Sequence, residues 1–390
     1  MAVEKSAIEE GQKMERIPLS VYLALVLVLL VMGCKKAEND SFHETFLDHS
    51  VMKGLQGFAA MGVILHHVTQ IVTQYGQHDK GLINVMNDAG VLFTALFFFC
   101  SGYGLVSSLL HKEDYLKGFL RKRLSAVLVP FYVCNWLFII ASLLAGARPK
   151  PLDLVLYISG LVLLNDQMWF IVELAILYVV FYFCYRKRKK DSLPLWKMAA
   201  VLGVMTVVSL LLGHDGLPDS QGKWFYGEWW FNTSWTFLVG MVIAKHKDQV
   251  VSFAKRHYKR LMPGVILLFA LLYMATMFML QNLGYWREWP GHPGYLEKLL
   301  TFLVQAPTVS IFVLMLLVIS MKVQFGNWVL SFLGVIALEM YLVQNIFITY
   351  LRPVIKVDML FYIGVYVCTI LIAFAVHWLD QKIIRGIQKK

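Results

Sequence analysis

Apolar runs of close to twenty residues recur along almost the whole chain, near 17–34, 51–74, 89–110, 124–146, 167–185, 196–213, 229–245, 261–283, 299–321, 328–350 and 358–378. A helix needs about that length to cross the hydrocarbon core of a bilayer. A chain patterned this way folds as an all-α polytopic transmembrane helix bundle, here about ten core helices plus one N-terminal helix. Composition agrees, because 58% of the 390 residues are hydrophobic, 16% are charged and mean hydropathy is +0.61, outside the range of a water-soluble globular domain. The stretch LDLVLYISGLVLL at 152–164 follows Pro151 and carries Asp153. At thirteen residues it is too short to cross and reads as a re-entrant or interfacial segment.

The connecting segments check the count, since Lys and Arg accumulate in short cytoplasmic loops. Segments 111–123, 186–197, 245–260, 322–327 and 379–390 hold 22 of them, against 8 in the alternating segments 75–88, 147–166, 214–228, 284–298 and 351–358. This alternation predicts a cytoplasmic C-terminus and would fail if 152–164 crossed the membrane. The net charge of +11 then needs no nucleic-acid partner. Clusters such as RKRKK at 186–190 are what a helix end beside anionic lipid carries. The five cysteines, at 34, 100, 134, 184 and 368, lie in or beside spans without metal-type spacing and read as small packing residues; no metal ligand is expected. VLLVMGC at 28–34 is similar to the cleavage site of a bacterial lipoprotein signal, with Cys34 as the lipidated residue. Cleavage would require residue 35 to lie outside, whereas the loop alternation puts 35–50 inside, so an uncleaved first helix is expected.

Within the spans a few polar side chains stand out, because an ionisable group in a membrane is costly and usually faces a cavity or a partner. GFAAMGVILHHV at 57–68 carries His66 and His67. At about 100° per residue, His67 falls about 20° from Gln56 and about 40° from Lys53, while His66 falls about 80° and 140° away. Lys53, Gln56 and His67 thus share one face, with Lys53 at the cytoplasmic end and His67 roughly 21 Å along the axis in the outer half. For either histidine alone, an interfacial residue near the helix end is the bland alternative. FFFCSGYGL at 97–105 places Ser101 and Tyr103 in an apolar helix, where small residues serve packing. Arg121, Lys122 and Arg123 stand at the start of the next span, as the positive-inside rule alone would place them. Trp169 opens a span that carries Glu173, and Glu339 lies mid-span in LEMYLVQN, ahead of Gln344. Two carboxylates in hydrocarbon call for pairing or function.

Taken in order, these segments resemble the acyltransferase 3 family of integral membrane enzymes. QGFAAMGVILHH at 56–67 aligns without gaps with that family's first core helix, the family histidine falling on His67. FFFCSGYGL, FLRKRLSAVLVP at 119–130, WFIVELAILY at 169–178 and LGVIALEMYLVQN at 333–345 match four further segments, and the likeness covers roughly 50–378. Two positions depart from the pattern. The family's arginine eleven positions before the histidine is Gln56 here, and its late histidine is Gln344. Lys53, one turn before Gln56, could supply the missing positive charge.

The resemblance implies transfer of an acyl group, acetyl in the first instance, from cytoplasmic acyl-CoA to a hydroxyl of a cell-surface glycan or other exported compound. No permanently bound cofactor is implied; acyl-CoA is a co-substrate. His67 would be the general base, oriented by Glu173 or Glu339. Lys53, Gln56, Arg121 and Arg123 would hold the donor, and Ser101, Tyr103, Trp169 and Gln344 would line the channel or acceptor site. The aromatic stretches 223–235 and 285–295 are interface anchors first and a sugar platform as the sharper alternative. The expected organisation is an N-terminal transmembrane helix and cytoplasmic linker at 1–50, a membrane acyltransferase domain at 51–378 and a basic tail at 379–390, in a bacterial cell membrane. The rival readings are a transporter or exporter, and a catalytically degenerate relative that senses or assembles, motivated by Gln56 and Gln344.

Overall fold

The computed structural model describes residues 20–38, 41–73, 81–188, 192–212, 232–284 and 294–389. Among these the chain forms thirteen α-helices, and its only sheet is a pair of two-residue strands. In chain order the helices are α1 Ser20–Val31, α2 His49–Thr73, α3 Gly90–His111, α4 Phe119–Leu144, α5 Pro151–Ser159, α6 Trp169–Tyr185 and α7 Trp196–Leu212. There follow α8 Trp235–Lys245, α9 Lys247–Asn282, α10 Tyr295–Ser320, α11 Trp328–Val335, α12 Ala337–Leu351 and α13 Asp358–Lys389. Each of the eleven apolar runs falls on a helix or a bent helix pair. Seven helices are long and apolar enough to span a membrane. The run 328–350 is broken instead of straight, with α11 and α12 meeting at 77°. Three helices, α1, α7 and α8, are shorter apolar segments. The protein is a multi-pass membrane helix bundle.

Segment 152–164 does not span. The nine residues of α5 bury no side chain, and Asn135, Trp136 and Tyr132 of α4 hold its C-terminal carbonyls at Tyr157, Ile158 and Ser159. The segment 379–389 differs from a separate tail, because it continues α13 as helix. The aromatic stretches lie almost wholly outside the described residues, as do 1–19.

Close backbone approach sets the core. A Cβ on Gly102 of α3 would stand 2.0 Å from the Phe237 carbonyl oxygen of α8, and one on Gly240 of α8 would stand 2.3 Å from that of Phe99. The same device joins α2 to α11, where a Cβ on Gly57 would lie 2.3 Å from Leu330 O and one on Gly334 2.0 Å from Lys53 O. Lipid gives helices no hydrophobic reason to associate, so packing of this closeness is what holds a bundle together. Helix α2 packs against α3, α11 and α12, which brings its polar face beside the break between α11 and α12.

The Lys- and Arg-rich connections gather at one end. Strand β1 (Lys35–Lys36) pairs with β2 (Val323–Gln324), Arg188 donates to Leu109 O, Lys245 to Leu193 O, and Gln388 to Lys122 O. At the other end Tyr273 reaches Val85 O, Asn345 reaches Asn165, and Arg352 pairs with Asp358. Helix α1 runs between the two: Tyr22 stacks on Tyr362 at 4.5 Å, and Asn327 donates to Leu29 O and Met32 O at 2.8 and 2.9 Å.

Candidate functional site

A cleft of about 470 Å³ opens among α2, α3, α4, α6 and the α11–α12 break, on the half of the bundle nearer the basic end. Its walls carry Lys53 and Gln56 from α2, Ser101 from α3, Arg123 from α4 and Tyr178 from α6, with Lys112 at the end of α3. Lys53 and Gln56 stand on one face because three residues make nearly a full helical turn. Lys53 Nζ donates to Gly334 O at 3.2 Å, a carbonyl at the helix break. Ser101 Oγ and Tyr178 OH are 2.9 Å apart. Arg123 Nε donates to Tyr115 OH at 3.1 Å, which fixes the guanidinium at the cleft wall. Among the described residues the lining holds Lys53, Lys112, Arg123 and His49 and no Asp or Glu. A space of that size and sign suits an anionic ligand, and Arg and Lys are the side chains that hold phosphate oxygens.

Four of the predicted residues thus line one cleft: Lys53, Gln56, Arg123 and Ser101. Arg121 does not join them; it lies exposed at the first turn of α4. Tyr103 is buried against Phe99 in the α3–α8 contact, and Trp169 packs on Phe98 and Phe170.

His67 lies toward the other end of α2. The residue is half-buried, its buried Nδ1 has no hydrogen-bond partner among the described residues, and the side chain of Gln344 stands beside it. Gln344 Nε2 donates to Tyr341 O, and its own buried Oε1 has no partner among the described residues. Beyond it, Asn345 donates to Asn165 at 2.8 Å, and Asn165 Nδ2 is a further buried donor with no acceptor among the described residues. His66 is differently placed. Its Nδ1 is 2.7 Å from Met86 O, and its ring fills the space over Gly90, where a Cβ would come within 2.4 Å of it.

Neither carboxylate expected to orient His67 is hydrogen-bonded to it among the described residues. Glu339 Oε1 accepts from Nδ1 of His377 in α13 at 2.8 Å, and Lys53 lies within its electrostatic reach. Glu173 is fully buried, with the Ser234 side chain beside it and neither oxygen hydrogen-bonded among the described residues. Sequence reasoning passed over Tyr178, His377 and Asp380. The signal for the last two was present in HWLDQ at 377–381, but ionisable residues so near a basic terminus read as interface residues.

The sequence profile of the acyltransferase 3 family, described as an acyltransferase domain, matches residues 49–378. The helix bundle and this match together define the class: the chain belongs to the acyltransferase 3 family of membrane acyltransferases. Among curated proteins and among solved structures, none matches the chain.

Proposed function

We propose that the protein moves an acetyl group from acetyl-CoA, bound in the basic cleft, to a hydroxyl of a glycan or similar exported compound that approaches from the opposite end. The observation that carries this reading is the alignment along α2: Lys53 and Gln56 face a cleft lined by no Asp or Glu among the described residues, while His67, roughly 21 Å further along the same helix by its rise per residue, has a ring nitrogen that none of those residues hydrogen-bonds. The adenosine phosphates would rest on Lys53, Lys112 and Arg123, and the long pantetheine arm would carry the thioester up the bundle. A hydroxyl attacks a thioester poorly until its proton is removed, and an imidazole is suited to that at neutral pH. His67 takes the alcohol proton as the oxygen attacks the carbonyl carbon; the C–S bond then breaks and CoA leaves as a thiolate. Gln344 serves as the orienting neighbour of His67, and Lys53 supplies the positive charge that Gln56 does not. The basic end faces the cytoplasm of a bacterial cell, where acyl-CoA is found.

The experiment is transfer of labelled acetyl from acetyl-CoA by the purified protein in nanodiscs, with cell-surface glycan as acceptor. Label appearing in ester linkage on the glycan, with one CoA released per ester, is the expected result. Binding of acetyl-CoA without transfer to any acceptor tried would overturn it in favour of a degenerate relative, and movement of an intact substrate across the membrane in favour of a transporter.

A further inference from the structure

Beyond the donor cleft, in the half of the bundle that holds His67, one face of α12 gathers a further set of polar side chains. Tyr341, Gln344 and Asn345 stand three and four residues apart, so they share that face. Helix α12 packs on α2 and on the 3-10 turn Asp166–Met168, and these side chains make the joins. Tyr341 OH donates to Gln167 O, and Asn345 Nδ2 donates to Asn165 Oδ1 at 2.8 Å, so the turn is fastened over the helix. Gln344 Nε2 donates to Tyr341 O at 3.1 Å, and its side chain stands beside His67 of α2. Tyr341 also lines the donor cleft. The cleft therefore ends one helical turn before Gln344 and Asn345.

This fastening leaves three atoms over. Asn165 is 1% exposed and Gln344 is fully buried. Among the described residues Asn165 Nδ2 meets no acceptor, Gln344 Oε1 meets no donor, and His67 Nδ1 has no partner. Of the buried side-chain atoms in that state, Asn165 Nδ2 is the only nitrogen besides the imidazole. Burying a polar atom without a partner is costly, and native proteins keep few of them. Here a spare donor and a spare acceptor accompany a base. A single alcohol would use only the base. A second hydroxyl on the same compound can donate and accept at once, which matches Gln344 Oε1 and Asn165 Nδ2 together. His67 and Asn345 are half-buried, and Thr349, one turn further along the same face, is exposed with its Oγ1 3.5 Å from Asn345 Oδ1. The set thus opens toward the end opposite the basic connections.

We infer that Asn165 and Gln344 form an acceptor subsite for a polyol, binding the hydroxyl next to the one that attacks, with Asn345 holding Asn165 in place. This rests on acyl transfer to a hydroxyl at His67, and it narrows the acceptor to compounds with two neighbouring hydroxyls, as on a sugar ring. The attacking hydroxyl gives its proton to His67. The second keeps its proton, donating to Gln344 Oε1 and accepting from Asn165 Nδ2. Asn165 and Gln344 touch the acceptor and set specificity; Asn345 is a positioning residue.

The test gives the full chain in nanodiscs acetyl-CoA and either a methyl pyranoside or a hydroxytetrahydropyran, a similar ring with one hydroxyl. Wild type should favour the pyranoside by about a hundredfold in kcat/KM, the worth of two hydrogen bonds. Asn165→Leu should cut that preference about tenfold by raising KM for the pyranoside, with KM for acetyl-CoA held within about twofold. Asn165→Asp keeps an oxygen for Asn345 and loses only the free N–H, so it carries the same prediction where the leucine variant fails to fold. An equal loss on both acceptors, or a wild type that uses the single hydroxyl as well as the pyranoside, would overturn the subsite. Saturation-transfer NMR of the methyl pyranoside with wild type and Asn165→Leu needs no turnover. Binding to wild type, weakened about tenfold in the variant, is the expected result. No binding, or equal binding, would end the inference even where acetyl reaches another acceptor. Binding that weakens as expected while wild type releases no CoA would uphold the subsite and fail the transfer reading instead.

Discussion

Two adjacent histidines illustrate how one residue's turn about a helix separates structure from chemistry. His66 fills the space above Gly90 and bonds to Met86 O, so His66→Ala should cost about 1–2 kcal/mol of stability, read as a lower unfolding temperature in detergent with the transfer reaction largely retained. The cleft separates two arginines in the same way. Arg123 lines it and Arg121 does not, so Arg123→Glu should raise KM for acetyl-CoA about tenfold or more, the effect of losing a charge-assisted contact, while Arg121→Glu stays within about twofold. Equal effects would mean that neither touches the donor. Lys53→Ala should impair the enzyme severely; intact activity would show that Lys53 does not replace the charge absent at Gln56. Much of this was legible in the chain, since helical periodicity alone put Lys53, Gln56 and His67 on one face. What periodicity could not supply was the partner. Gln344 rather than a carboxylate stands beside His67, and Glu339 turns to a histidine 38 residues later, because which helices touch is decided by packing across the bundle.

Among the elements, the α3–α8 and α2–α11 contacts carry the tightest constraint. A methyl group on Gly102 or Gly240 would lie 2.0 or 2.3 Å from a carbonyl oxygen of the facing helix. Gly102→Ala or Gly240→Ala should therefore destabilise by roughly 1–3 kcal/mol as backbones move apart, whereas Gly203→Ala, with open space around it, should not. Thermal unfolding of the three variants in one detergent makes the comparison. The small residues of FFFCSGYGL were readable as packing, although their partner was not. The break between α11 and α12 was hidden, because the run 328–350 holds no proline and is apolar without interruption from Val335 to Leu338. It bends where Gly334 lets the α2 backbone in at Lys53, a contact that exists only after the bundle assembles.

At the scale of the whole molecule, the alternation of charged loops gave the arrangement of the ends. The connections rich in Lys and Arg do meet, through β1 and β2 and the contacts of Arg188, Lys245 and Gln388. Helix α1 is tied into the bundle at both ends, by Tyr22 on Tyr362 and by Asn327 on its last turn, which leaves Cys34 beside the basic end. Single cysteines introduced at Lys36 and Lys389, in a background that keeps Cys34 and lacks the other four native cysteines, should both react with a membrane-impermeant thiol reagent only after the cell membrane is opened. Labelling of position 36 alone in intact cells would mean that the helix had been removed or inverted.

The central claim is that one helix joins a donor cleft to a base, and its most direct measurement is the rate of acceptor-dependent CoA release from acetyl-CoA by His67→Ala beside wild type in the same nanodiscs. Removal of a general base predicts a fall of about 10²–10⁴-fold with KM for acetyl-CoA little changed, since His67 is not among the residues that line the cleft. A His67→Ala protein that turns over at the wild-type rate would contradict the account.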